Sequence, residues 1–388
     1  MYAKPTCSPL VKFIVIAVIV LELVAIGFLA VQRAGAESAP SGTSQQEIDL
    51  APAEPEAQDG QQQGDQQAEG AGEGENAEAP AAEAVTVTVT FGGDCTLGGD
   101  SSSTSGKAFN KLYKNEGAAY FLQNVADTFG ADDLTVVNLE GALTESKDAT
   151  RKNFAFKGPE EYASILGGSG VEAASIANNH SGDYGEDGRS DTIEALSANG
   201  VTAFGYDRIT QVDVKGVKVA VVGANLASDS DGTAAQQLLD NIAKAKADGA
   251  QLVLAYVYWG VEKETTPQES DMRIARQAID AGADAVVGTH PHVIQGYEVY
   301  QGRYIVYSLG NLSYGGNGNP DDKDCLLFQQ TFTVTGNDVA KNEDVKFIPC
   351  TVAKNTFAPK VVDGEAADRV LDKLQSSTDK IAEMAASL

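Results

Sequence analysis

Apolar and polar positions change their rhythm several times along this chain, and each change marks an element. Residues 13–31, FIVIAVIVLELVAIGFLAV, are apolar except at Glu22, close to the roughly 20 residues a helix needs to cross a bilayer. Residues 34–84 carry no large apolar side chain beyond Ile48 and Leu50, and such a segment cannot bury enough surface to offset its ordering entropy. At Val85 the texture changes to V-T-V-T-V-T-F, a period of two that predicts a strand over 85–91. Short apolar, often β-branched runs then predict strands at 134–139, 174–177, 217–222, 252–258, 285–288 and 304–308. Helical spacing lies between them at 192–199, 234–248 and 269–281. Strands at 326–334 and 345–352 and a closing helix near 366–386 complete the pattern. Alternating strands and helices imply a layered α/β domain, here a single one over 85–388.

Charge places these segments. Lys4 and Lys12 precede the apolar run and an acidic tract follows Arg33, so the positive-inside bias puts residues 1–12 in the cytoplasm and the rest outside. Ala34-Gly35-Ala36 looks like a cleavage site, but the apolar run exceeds the usual 7–15 residues of a signal peptide. Residues 13–33 are therefore expected to form an uncleaved anchor, making a single-pass cell-membrane protein with an extracytoplasmic domain. Glu22 is tolerated in such a span or contacts a partner there. Residues 34–84 hold twelve acids and no Lys or Arg, twelve of the 27 net negative charges. One sign of charge keeps a linker expanded. Nothing in this balance suits nucleic acid, which needs clustered Lys and Arg. A polyanion would also be repelled at long range unless a basic patch or a metal offsets the charge.

In open α/β sheets ligands collect where strands end, and the polar clusters of this sequence fall there. Asp94 follows the first strand, Asn138 and Glu140 the second, and Asn178-Asn179-His180 the third. His290 and His292 flank Pro291 after the strand at 285–288, and the chain has three His in all. A His-x-His loop can present two imidazoles to a transition metal, with carboxylates and an Asn carbonyl as harder oxygen ligands. Cys95, next to Asp94, is either a soft ligand or a core residue on the opposite side of the strand. Cys7 precedes the apolar run and so cannot be a lipoprotein cysteine. Cys325 and Cys350 fall on neighbouring predicted strands, and a disulfide between them is permitted in an exported domain.

Five segments carry a resemblance. Gly93-Asp94, Asn138-Leu139-Glu140, Ala177-Asn178-Asn179-His180 with Asp183-Tyr184-Gly185, Gly288-Thr289-His290-Pro291-His292 and Tyr307-Ser308-Leu309-Gly310-Asn311 occur in that order. In these the chain resembles the CapA family of poly-γ-glutamate capsule proteins, a branch of the calcineurin-like metallophosphatases. The resemblance implies a four-layer α/β/β/α sandwich. It implies metal positions at Asp94, Glu140, Asn179, His290 and His292, for one or two Mn, Zn or Fe ions. It places His180 as the group that protonates or stabilises the leaving group, with Asp183 orienting it or serving only as a turn residue. Asn138, Glu262 and Asn311 are expected to touch substrate or support the ligands. Where the family commonly has His-Trp-Gly, this chain reads Tyr258-Trp259-Gly260. That change implies one metal fewer, a hydrogen-bonding Tyr258, or an inactive centre. Trp259 either lines a substrate groove or packs in the core.

The resemblance leaves two functions. One is a metal-dependent phosphoesterase-like hydrolase in capsule or envelope-polymer synthesis or export, acting on the polymer or on a phosphorylated envelope substrate. The other is a non-catalytic subunit that holds or guides the polymer and contacts membrane synthase subunits through the anchor.

Overall fold

The computed structural model describes residues 83–150, 154–341 and 344–388. The expected anchor at 13–33 and nearly all of the linker at 34–84 lie outside these residues. No helix among the described residues is long and apolar enough to cross a membrane.

The first half runs β1 (Ala84–Thr96), α1 (Thr104–Glu116), α2 (Ala126–Phe129), β2 (Leu134–Leu139), β3 (Ala142–Leu143), β4 (Lys157–Gly158), α3 (Ala163–Gly167), β5 (Ala173–Ser175), α4 (Gly185–Ala198) and β6 (Thr202–Phe204). It continues with β7 (Thr210–Val214), β8 (Val217–Asn225), α5 (Thr233–Ala247), β9 (Leu252–Tyr258), α6 (Glu269–Asp280), β10 (Ala285–Thr289), β11 (Ile294–Tyr300) and β12 (Arg303–Leu309). The last elements are β13 (Asn311–Tyr314), β14 (Asp324–Thr335), β15 (Asp338–Val339), β16 (Val345–Val352), β17 (Pro359–Val361) and α7 (Gly364–Ala385).

Two large sheets result. The first has the order β17-β16-β14-β1-β2-β5-β6, with β13 beside the end of β1, and the second β11-β12-β10-β9-β8-β7. Strand alternation assigns each residue its layer. Leu252, Leu254 and Tyr256 of β9 join Val87, Val89 and Phe91 of β1 in the core between the sheets. Val253, Ala255 and Val257 face the other way, against Leu238 and Ile242 of α5 and Met272 and Ala275 of α6. On the far side of the first sheet, Val137 and Leu139 pack with Phe109 of α1 and Leu196 of α4. Helices therefore cover both outer faces, and β9, buried on both sides, reads as an unbroken apolar run.

Boundaries shift where local chemistry overrides periodicity. Helix α4 starts at Gly185, seven residues before the expected 192, because its polar first turn carries Glu186 and Asp187, which suit a helix N-terminus. Helix α1, not anticipated, buries little beyond Phe109 but is capped by Ser103 Oγ, which accepts from Gly106 N at 2.9 Å. Cys325 and Cys350 lie directly opposite each other on antiparallel β14 and β16, yet both are free, buried thiols. Trp259 is fully buried, donating from Nε1 to Tyr307 O at 2.9 Å. It is a core residue and lines no groove.

Gly288 is what leaves room for that indole beside Tyr307 O. A Cβ there would stand 2.1 Å from Tyr307 O and 2.3 Å from Trp259 Nε1. Gly288→Ala is expected to destabilise the fold by about 3 kcal/mol, the upper end for overpacking. Urea unfolding of the variant beside the wild type measures this, and a change within error would contradict the packing described.

Candidate metal centre and its histidine–aspartate pair

The centre lies where strands of both sheets end together. Parallel pairing puts Asp94 in register with Asn138 on β2 and Asn311 on β13. The register of β1 against β2 slips once, at Gly92–Gly93, and its pairing with β13 shifts after Asp94, where the extra residue is on β13. A slip of one residue exchanges the faces of a strand, so Cys95 falls into the outer core while Phe91 stays in the inner one. Cys95 is thus a core thiol, pushed up in pKa by burial first and the Asp94 charge second. Gly93 permits the crossing of the two chain segments here, since a Cβ would stand 1.9 Å from Gly310 O, and Asp94 N donates to that oxygen at 3.1 Å.

Two buried carboxylates form the floor. Asp94 Oδ1 accepts from Asn138 Nδ2 at 2.8 Å, and its Oδ2 lies 3.2 Å from His292 Nδ1. Glu140 Oε2 accepts from Thr96 Oγ1 at 2.9 Å and Oε1 from the Tyr258 hydroxyl at 2.9 Å. Burial holds the Glu140 carboxyl above its ordinary pKa, although His292 pulls the other way. Asn138 also accepts from Asn178 Nδ2 at 3.0 Å, and Asn178 Oδ1 accepts from His180 N at 3.1 Å. This chain of amides ties the ends of β1, β2 and β5 together.

The His loop enters from the second sheet with a strained backbone. His290 has φ of +100° and His292 of +58°, a region non-glycine residues rarely occupy and that clusters at functional sites. Lys263 N to Pro291 O at 2.8 Å and Trp259 N to Thr289 O at 3.2 Å hold it. His292 Nδ1 lies 2.9 Å from Asn311 Oδ1 and its Nε2 3.6 Å from Glu140 Oε1. Burial lowers the His292 pKa, but Glu140 and Asp94 more than compensate and carry it up to about 10. His290 goes the other way, to about 4, through burial and the nearby His292. Its Nδ1 is buried with no hydrogen-bond partner.

His180 faces the same space from the loop after β5. Its Nδ1 donates to Asp183 Oδ2 at 2.7 Å, and Asp183 Oδ2 also accepts from Phe156 N at 2.8 Å. The Phe156 ring stacks on the imidazole with centroids 4.2 Å apart. Nε2 is thereby turned to the centre, 3.9 Å from Glu140 Oε1. Asp183 is a fully buried partner of His180 as well as a turn residue.

Among the described residues two groups bring donor atoms within 4.8 Å of one another: Asp94, Glu140 and His292, and Glu262, His290 and His292. Two buried carboxylates, two imidazoles and an unpartnered ring nitrogen suit a divalent cation, and the chain's donors fit one. Asn179 is at the rim of this set, with Oδ1 2.9 Å from the Tyr258 hydroxyl.

Comparison with known proteins decides the family. The model of the family described as "Bacterial capsule synthesis protein PGA_cap" matches residues 88–315, more than half of the chain. This chain belongs to the bacterial capsule synthesis protein family. Its relatives include the capsule biosynthesis protein CapA of Bacillus anthracis, 29% identical over 71% of each chain. The PGA biosynthesis protein CapA of Bacillus subtilis is 28% identical over 66% of this chain and 73% of that one. A probable polyglutamine synthesis accessory protein of Mycobacterium tuberculosis is 24% identical over 58% and 67%.

The region matched by the capsule synthesis family contains every candidate residue from Asp94 to Asn311. The structure brings Asp94, Asn138, Glu140, Asn179, His180, Asp183, Tyr258, Glu262, His290, His292 and Asn311 to one end of the sheets. Glu262, expected to touch substrate or support the ligands, is also in one of the two groups that could hold a metal ion. Tyr258 is a hydrogen-bonding residue, and burial first, then Glu140, holds its phenol well above pKa 10. Three neighbours escaped sequence reading. Thr96 was within reach, because residues i and i+2 of a strand share a face. Phe156, and Tyr314 with its ring 4.8 Å from that of His292, carry no local signal, since only chain crossing brings them here.

Proposed function

We propose that this chain is a membrane-anchored, extracytoplasmic member of its family that works in the synthesis or export of a poly-γ-glutamate-type capsule or related envelope polymer, as a metal-dependent phosphoesterase-like hydrolase. The observation that carries this reading is the convergence of Asp94, Glu140, His290 and His292 on a space that also receives His180 Nε2. The apolar run at 13–31 and the acidic stretch at 34–84 support the anchor and tether.

Asp94, Glu140, Glu262, His290 and His292, with Asn179 at the rim, would hold one or two Mn, Zn or Fe ions. When bound, such a cation polarises a phosphoryl oxygen and makes water a better nucleophile at neutral pH. The chain's own residues supply the rest. Asn311, 2.9 Å from His292 Nδ1, fixes that ring and leaves Nε2 for a ligand. Asp183 holds the His180 ring by Nδ1 and turns Nε2 to the centre, the position from which a general acid would reach a departing oxygen. A cation would also offset the acidic surface toward an anionic substrate.

A second reading has its own support. Tyr258 stands between Glu140 and Asn179, where it hydrogen-bonds groups that could otherwise serve a metal. In that reading the domain is a non-catalytic subunit that holds or guides the polymer beside membrane synthase subunits. The Mycobacterium tuberculosis relative is named an accessory protein.

The deciding experiment is release of p-nitrophenol from bis(p-nitrophenyl) phosphate by the full chain with Mn, beside Asp94→Asn. Metal-dependent turnover in the wild type, reduced at least a hundredfold in the variant, is expected. A wild type that binds Mn but turns over nothing would leave the accessory reading.

A further inference from the structure

Tyr258 divides the centre. Its hydroxyl oxygen lies 2.9 Å from Glu140 Oε1 and 2.9 Å from Asn179 Oδ1, and the side chain is buried. A hydroxyl has one proton, and here it is directed at two acceptors, Glu140 Oε1 and Asn179 Oδ1. The other Glu140 oxygen is taken by Thr96. Glu140 is therefore satisfied on both oxygens by donors of this chain. A cation held by Glu140 Oε1 and Asn179 Oδ1 would lie about 2.0–2.2 Å from each. Both atoms already converge on the phenol, so hydroxyl and cation compete for the same wedge.

The opposite half is differently disposed. His290 Nδ1 is buried without a hydrogen-bond partner, and a buried polar atom left unmet costs about 1–3 kcal/mol. His290 belongs to the group in which Glu262, His290 and His292 bring ligand atoms within 4.8 Å of one another. Glu262 adds a negative charge at the solvent edge, where a cation could enter. We propose that Tyr258 closes the Glu140–Asn179 half of the centre, so that the chain holds a single divalent cation at Glu262, His290 and His292. The inference rests on the metal-dependent reading above and narrows it to a mononuclear centre whose second position is filled by a side chain.

Elemental analysis of the purified full chain after loading with Mn, together with electron paramagnetic resonance of the bound Mn, tests it. The wild type is expected to hold one Mn per chain with the spectrum of an isolated ion, and His290→Ala to hold none. Tyr258→His, which swaps the competing donor for a ligand, is expected to hold two ions with a spin-coupled spectrum. Tyr258→Phe keeps the ring and drops only the hydroxyl, and is expected to gain a second, weaker ion. Two ions in the wild type would overturn the inference while leaving metal dependence intact. One ion in the wild type and still one in both Tyr258 variants would also overturn it. No ion in the wild type would overturn the metal-dependent reading itself.

Discussion

Replacing His292 by Ala is expected to cost the metal-free domain about 3–5 kcal/mol, the loss found when one partner of a buried ion pair is removed. His292 lies 3.2 Å from Asp94 Oδ2 and 3.6 Å from Glu140 Oε1, and both carboxylates are buried. In the metal-free domain its imidazolium is the positive charge that offsets them. The other hydrogen-bond donors to these carboxylates, Asn138, Thr96, Tyr258 and the His290 backbone N–H, are neutral. Without His292, two negative charges face each other in low dielectric, and one must take a proton or the site must open. His290→Ala should behave differently. That ring carries no such charge, since burial and His292 hold its pKa near 4. Its removal should lose metal while costing much less stability. Urea unfolding in the presence of a chelator, read by far-ultraviolet circular dichroism, compares the two. Equal losses would mean that His292 does not balance the carboxylates.

Replacing His180 by Ala is expected to lower turnover of a phosphodiester by about 10²–10⁴-fold, the usual range for a general acid or base, with metal content unchanged. Neither of the two groups of candidate ligands contains His180, and its Nδ1 is committed to Asp183. The loss should depend on the leaving group. An alkoxide needs a proton more than p-nitrophenolate does, so methyl p-nitrophenyl esters should suffer less than dialkyl ones. Asp183→Asn keeps the shape of the side chain but removes the carboxylate that holds the ring by Nδ1, and should give a smaller loss with the same leaving-group trend. Steady-state rates across such a series decide the matter. Uniform losses for good and poor leaving groups would assign His180 to binding.

Much of this architecture is legible in the chain because burial acts locally on sequence. A strand buried on both faces reads as a mainly apolar run, and β2 and β9 keep the bounds that their runs predict. Helix α6 places Met272, Ala275, Ala278 and Ile279 on one buried face at the spacing a helix requires. Short edge elements such as β7, β11 and β17 are less legible. Their partly exposed residues are set by pairing with neighbours and carry little periodicity of their own. The disposition of Cys325 and Cys350 also lies beyond sequence, because register alone makes them neighbours.

The sequence by itself determined the layered fold, the order of the motifs, and which strand ends carry Asp94, Glu140, His180, His290 and His292. Each depends on residue type and spacing along one segment. Tertiary structure decided what those residues do to one another. A slip in β1 turns Cys95 into the core, and stacking of Phe156 aims His180. Tyr258, 118 positions from Glu140 in sequence, fills the wedge between Glu140 and Asn179. Hydrogen bonds and charges act over a few ångströms, and only the meeting of two sheets brings such distant residues within that range.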